Sequence, residues 1–158
     1  MGYVNLEVEV QQGENLCWAA VAASISKYHN PASFWTQCAV AGKVLNFPEC
    51  CTSIDPCNRD YYLETALQTT SNLASTATGQ LTIEQIRNEI DQQRPIGIRI
   101  GFELVGHFVV LIGYDDSQGS VTLTDPTGAD HTLYYASFTQ PGGYPGGGWW
   151  TYSYLTKA

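Results

Sequence analysis

Four residues stand in contexts from which a cysteine-based catalytic site can be built. Cys17 lies where an alanine-rich segment begins, and the first turn of a helix favours a thiolate through its free N–H groups and positive dipole end. Of three histidines, His107 opens an apolar run, so its ring can act as a base held at the end of a strand. Asp125 ends the next run and can orient that ring. Gln11, six residues before Cys17, can donate its amide N–H to an oxyanion together with the Cys17 backbone N–H.

Hydrophobic periodicity predicts the elements that must position these residues. Alternation predicts a strand over Tyr3–Val10, and helical spacing predicts a buried helix from about Leu16 to Tyr28, with Asn15 as its cap. Further helices are predicted from Pro31 or Ser33 to a stop at Asn46–Pro48, over Tyr61–Thr69 after an Asp60 cap, and from a capping box at Thr82–Gln85 to a point before Arg94.

From Pro95 onward, hydrophobic residues recur at every second position and no longer at helical spacing. This change predicts five strands with turns between them, over residues 96–100, 107–114, 121–124, 132–135 and 149–155. The segment 115–119 is predicted to be a hairpin loop with Gly119 in the left-handed conformation. A helical half with the central Cys17 helix, followed by an antiparallel sheet, is an α+β pattern with a cleft between the two halves.

Composition excludes several classes of function. The chain has 158 residues, 44% of them hydrophobic, which predicts a single domain over 1–158. Its formal net charge is −8, so no basic surface is available and nucleic-acid binding is not expected. The longest apolar run, Phe108–Tyr114, is much shorter than the roughly 20 residues of a membrane-spanning helix, and no membrane partner is expected.

Four cysteines remain when Cys17 is set aside, and they lie close together in the chain: Cys38, Cys50, Cys51 and Cys57. Their spacing is not that of structural zinc and no histidine is near, so no metal site is expected. We predict two disulfides in which Cys50 and Cys51 bond separately to Cys38 and Cys57, with free buried thiols and, less simply, zinc as the alternatives. A charged fraction of 14% agrees with an oxidising exterior.

Other conspicuous residues have simpler interpretations. The glycine-rich stretch Pro141–Gly148 lacks a following helix and a lysine, so it is predicted to be a loop that borders the cleft and not a phosphate cradle. His29 and His131 are predicted at the surface, and Trp18 is predicted to pack in the core.

Three segments together resemble the papain-like cysteine peptidases: Gln11–Ala20, Gly106–Tyr114 and Thr124–Pro126. Within that group the chain looks most like the bacterial branch that includes avirulence effector proteases and staphopain-type enzymes. The resemblance implies a papain-like α+β fold and peptidase activity. The chain is shorter than papain's mature domain, so specificity loops cannot be transferred.

The resemblance also implies a role for each matching residue. Cys17 takes the place of the nucleophile at the start of the central helix, and His107 takes that of the base. Asp125 stands where papain has an asparagine and some bacterial relatives have an aspartate. Gln11, and not Gln12, takes the oxyanion-hole position.

The predicted function is hydrolysis of peptide bonds in protein or peptide substrates through a thioester, with no metal or organic cofactor. A secreted or delivered bacterial effector is expected, although no signal is visible at the N-terminus, and any propeptide or inhibitor is expected outside this sequence. Two alternatives stay open: an amidase, acyltransferase or transglutaminase on the same fold, and an interaction module that has lost turnover.

Overall fold

The computed structural model, which describes residues 1–158, has five α-helices and a seven-stranded antiparallel sheet, and so confirms the predicted α+β class. The helices are α1 (Cys17–His29), α2 (Gln37–Leu45), α3 (Leu63–Thr69), α4 (Ile83–Asp91) and α5 (Tyr135–Phe138), with 3₁₀ turns at Pro48–Cys51 and Asp55–Cys57. None of them has the length and apolar character that crossing a membrane requires.

The sheet has the strand order β2-β7-β3-β4-β5-β6, and the short strand β1 pairs with β4. The strands are β1 (Gly2–Tyr3), β2 (Leu73–Thr78), β3 (Ile96–Gly101), β4 (Gly106–Asp115), β5 (Ser120–Thr124), β6 (Asp130–Tyr134) and β7 (Trp149–Thr156). The five strands predicted after Pro95 are confirmed, as is the β4–β5 hairpin with Gly119 at φ 64°. Because this hairpin is antiparallel, the start of β4 and the end of β5 lie at the same end of the sheet.

Helix α1 is the centre of the core. Ten of its 13 residues are buried, among them Trp18 and Ile25, and the small alanine side chains let neighbouring elements approach it on several sides. The predicted cap at Asn15 is wrong, since the N-cap is Leu16 and no side chain caps it. Asn15 is instead held by Asn58, which accepts from both the backbone and the side-chain amide of Asn15.

The N-terminal segment follows the predicted alternation but not the predicted strand. Val4, Leu6 and Val8 are buried as expected, yet strand pairing ends at Tyr3. The backbone then leaves the sheet, and side chains take over its hydrogen bonds: the Val8 N–H donates to Thr124 Oγ1 at 3.3 Å. A burial pattern of period two is therefore produced here by an extended segment without a partner strand.

Two helix starts and one strand also differ from prediction. Helix α2 begins at Gln37 because Thr36 Oγ1 caps it, and α3 begins at Leu63 without a cap from Asp60. The capping box at Thr82 and Gln85 is confirmed. Strand β2 was not predicted, since its residues do not alternate in burial and it becomes a strand only by pairing with β7.

Two disulfides tie α2 to the 3₁₀ turns that follow it. Cys38 bonds Cys51, and Cys50 bonds Cys57, while Cys17 is the free cysteine. This is the arrangement predicted from spacing, with the neighbouring cysteines paired separately.

Candidate active site

Cys17 is the first residue of α1 and is 3% exposed. The first backbone hydrogen bond of the helix runs from the Ala20 N–H to the Leu16 carbonyl at 3.0 Å, and the Cys17 N–H has no acceptor. Because α1 has no side-chain cap, the free N–H groups of its first turn are left beside the sulfur. This end of the helix therefore favours negative charge on an oxygen bound next to the sulfur.

His107 lies at the start of β4, where the sheet brings it to Asp125, the residue directly after β5. Its Nε2 lies 2.9 Å from Asp125 Oδ1, which leaves Nδ1 for Cys17. Burial by itself lowers the pKa of His107, but hydrogen bonds with Asp125 and Cys17, together with their charges, raise it to about 9. The site therefore stabilises an imidazolium beside the sulfur.

The Asp125 carboxylate is 5% exposed and is surrounded by donors. Oδ1 accepts from His107 and from both the backbone N–H (2.8 Å) and the hydroxyl (2.7 Å) of Thr127. Oδ2 accepts from the Tyr144 hydroxyl at 2.5 Å. Burial raises the pKa of this carboxyl, but the hydrogen bonds from His107, Tyr144 and a backbone N–H hold it well below its ordinary value.

Sequence reasoning missed Tyr144 and Thr127. Tyr144 is 4% exposed in the middle of the glycine-rich stretch Pro141–Gly148, and an aromatic residue inside such a run is the signal that could have drawn attention to it. Thr127 belongs to the Asp-Pro-Thr turn, where a hydroxyl two residues after an aspartate is a common partner of that aspartate.

Gln11 is placed beside both halves of the site. Its backbone N–H donates to the Pro126 carbonyl at 2.8 Å, next to Asp125. Its side-chain Nε2 donates to the carbonyls of Gly13 (3.0 Å) and Glu14 (2.8 Å), while its Oε1 is buried without a partner. Gln11 therefore holds the loop that leads into Cys17.

The side chain of Gln12, in contrast, is exposed, and only its backbone is held, by Gln37 Oε1 at 2.9 Å. The two neighbouring glutamines thus differ in the way expected if only the first serves the site.

A second support reaches the loop before Cys17 from the disulfide region. Asn58 Oδ1 accepts from the Asn15 N–H at 2.9 Å, and the Arg59 carbonyl accepts from Trp18 Nε1 at 2.9 Å. Cys57, the partner of Cys50, directly precedes Asn58. The buried disulfide is therefore linked to both sides of Cys17.

A groove of about 550 Å³ is lined by Gly106 and Phe108, the residues before and after His107 in strand β4. Its wall on the helical side includes Tyr61, whose ring centroid lies 5.8 Å from that of Trp18. The groove also exposes Arg99, whose Nη1 donates to Thr151 Oγ1 at 2.9 Å.

The other two histidines lie partly exposed at the surface, and each has a neighbour there. His29 lies 3.1 Å from Thr156 Oγ1, and burial lowers its pKa. The His131 ring packs edge-on against Tyr144 at a centroid distance of 5.3 Å.

Comparison with known protein families places the chain in a family. The model of the family described as "Papain-like cysteine protease AvrRpt2" matches residues 2–141. The match covers well over half of the 158 residues and includes Gln11, Cys17, His107 and Asp125. No curated protein is significantly similar to the chain.

Proposed function

The chain belongs to the papain-like cysteine proteases, and from this premise we propose that Cys17, His107 and Asp125 are its catalytic triad within one domain over 1–158. Its substrates are proteins or peptides. The observation that carries the proposal is the partly buried His107–Asp125 hydrogen bond of 2.9 Å, with His107 also in contact with Cys17, the first residue of α1.

The reaction begins from a Cys17 thiolate and a His107 imidazolium. The sulfur attacks the peptide carbonyl carbon, and the imidazolium gives its proton to the leaving amine as the C–N bond breaks. The acyl group is then a thioester of Cys17. Water attacks it while His107 takes one proton, and the released acid leaves the thiolate and imidazolium as they began. Asp125 holds the ring and its charge throughout.

The oxyanion of each tetrahedral intermediate is bound by the Cys17 N–H, which has no acceptor in the free protein. The second donor is the Gln11 amide. Both of its hydrogens bond neutral loop carbonyls in the free protein, so one must be shared with or turned to the oxyanion. Because charge-assisted hydrogen bonds are stronger than neutral ones, this exchange is favoured when the charge develops.

We place the substrate in the groove beside Gly106, Phe108 and Tyr61, with the scissile bond at Cys17. We also propose that the protein is a bacterial effector that acts outside the cell that makes it. Two disulfides in 158 residues support this, because disulfides persist in oxidising compartments.

The test combines labelling with digestion. Native protein at pH 6 should alkylate at Cys17 with iodoacetamide faster than the unfolded chain does, because the neighbouring imidazolium maintains the thiolate. Digestion of a denatured proteome should yield pairs of fragments whose combined mass exceeds that of the parent chain by one water for each bond cleaved. Cys17→Ala and His107→Ala should abolish both signals, whereas His29→Ala should retain them.

Three outcomes would contradict the proposal. Equal alkylation rates in the native and the unfolded chain would show that Cys17 and His107 do not form a thiolate–imidazolium pair. Transfer products without added water would instead support an acyltransferase or transglutaminase. A reactive Cys17 without any turnover would support an interaction module.

A further inference from the structure

The glycine-rich segment Pro141–Gly148 has no place in the triad mechanism, yet its packing is tight. A Cβ on Gly143 would lie 2.2 Å from the Ser137 carbonyl oxygen, and one on Gly148 would lie 2.3 Å from Ile100 Cγ2. Both positions therefore require glycine for close approach to their neighbours. The segment is built against α5 and β3 and is not a loose loop.

This segment forms a tight turn around Tyr144. The Tyr144 N–H donates to the Gly148 carbonyl at 3.0 Å, and the Gly147 N–H donates back to the Tyr144 carbonyl at 2.9 Å. The Tyr144 ring packs against Phe138 on one side and against His131 on another. Its backbone and its ring are thus both held, and the hydroxyl is presented at a defined point.

The hydroxyl contacts Asp125 Oδ2, the carboxylate oxygen that does not bond His107. The hydroxyl of Tyr144 donates to Oδ2 at 2.5 Å, and it is the sole donor to this oxygen, whereas Oδ1 has three. Burial and the nearby Asp125 raise the pKa of Tyr144 well above its ordinary value, so the hydroxyl stays a donor.

We propose that Tyr144 is a positioning residue of the active site: it holds the Asp125 carboxylate in the plane where Oδ1 accepts from His107. The segment Pro141–Gly148 places the Tyr144 hydroxyl at Asp125. This inference rests on the proposed triad. Without the hydroxyl, Oδ2 has no donor and the carboxylate can turn. The Asp125–His107 bond then weakens.

The consequence is a change in the titration of His107. His107 is faced by Cys17 from α1 and by Asp125, which follows β5. Tyr144, which bonds Asp125, is faced by Asp130 and His131 from β6. Part of the rise in the pKa of His107 to about 9 comes from Asp125. A weaker bond lowers this pKa, so the imidazolium is lost at a lower pH than in the wild type.

The experiment compares Tyr144→Phe with Tyr154→Phe. Both tyrosines are buried, at 4% and 5% exposure, but the Tyr154 hydroxyl makes no hydrogen bond to the protein. For a fluorogenic peptide substrate, we expect Tyr144→Phe to lower kcat about tenfold, the effect of weakening one hydrogen bond to a charged group. KM should stay within about twofold, and the basic limb of kcat/KM against pH should move to lower pH. Tyr154→Phe should match the wild type in all three.

A second pair of variants tests the segment itself. Gly147 (φ 90°) and Gly79 (φ 83°) are both left-handed, with no atom within 4 Å of an added Cβ. Alanine therefore imposes the same backbone strain at each. Gly147→Ala should lower kcat and move the basic limb as Tyr144→Phe does, whereas Gly79→Ala should lower the Tm equally without either change.

An unchanged basic limb, a limb that moves to higher pH, or equal kcat losses in Gly147→Ala and Gly79→Ala would each overturn the inference. Failure of the role proposed for Tyr144 can be told apart from failure of the proposed catalytic triad. If wild-type protein hydrolyses peptides and Tyr144→Phe does so equally well, only the positioning role is lost. If Cys17 does not react and wild-type protein has no turnover, both are lost.

Discussion

The two disulfides should contribute similarly to stability but differently to catalysis. The perturbation is removal of each bond in turn, as Cys50→Ala/Cys57→Ala and as Cys38→Ala/Cys51→Ala. The bonds close sequence separations of 7 and 13 residues, for which the loss of chain entropy corresponds to about 2.4 and about 2.9 kcal/mol. For a protein of this size each removal should lower the Tm by about 5–12 °C.

Catalysis should fall in the first variant because that disulfide adjoins the loop before Cys17. Asn58 and Arg59, directly after Cys57, accept three hydrogen bonds from Asn15 and Trp18. At about 1 kcal/mol each, loss of a third to a half of their combined contribution is about 1–1.5 kcal/mol, or about a 5- to 13-fold fall in kcat/KM.

The Cys38–Cys51 bond should have a smaller effect, since Cys51 is exposed and the hydrogen bonds of Gln37, next to Cys38, reach the chain at Val10 and Gln12 and not at Asn15 or Trp18, which flank Cys17. The assay is kcat/KM at 25 °C, together with the rate of Cys17 alkylation and the Tm of each variant. Asn58→Ala, with both disulfides intact, should reproduce most of the catalytic loss. Equal losses of kcat/KM in the two disulfide variants, or a lower Tm with unchanged kcat/KM in Cys50→Ala/Cys57→Ala, would refute the reasoning.

Three further predictions follow from the site. Gln11→Ala should reduce kcat about 100- to 1,000-fold by removing an oxyanion donor, whereas Gln12→Ala, at an exposed side chain, should leave kcat unchanged; a larger loss at Gln12 would show that the wrong glutamine is assigned. Asp125→Ala should slow turnover and move the basic limb of kcat/KM to lower pH, since its hydrogen bond raises the pKa of His107; unchanged kinetics would exclude Asp125 from the site. The free energy of unfolding should decline as pH rises from about 6.5 to about 9, because the pKa of His107 is higher in the folded than in the unfolded chain; denaturant titrations of His107→Ala should lack this decline.

The local parts of the fold could be read from the sequence because their causes are local. The capping box at Thr82 and Gln85 satisfies its own helix end, and the strands after Pro95 show their period directly. The Cys17 helix could be located because its apolar and alanine residues recur at helical spacing. The order of Cys17, His107 and Asp125, each at the start or end of an element, was likewise enough to propose which residues meet.

Tertiary structure decided whatever depends on a partner distant in the chain. Strand β2 exists because β7 pairs with it, and the segment after Tyr3 leaves the sheet because Thr124 and Ser24 accept its N–H groups. Asn15 binds Asn58 and does not cap α1, for the same reason. Tyr144 reaches Asp125 across 19 positions of the chain through a glycine-rich turn whose conformation is set by contacts with α5 and β3. Hydrophobic period and capping residues carry no information about such contacts, because a hydrogen bond between distant residues depends on how the elements pack and not on the sequence next to either residue.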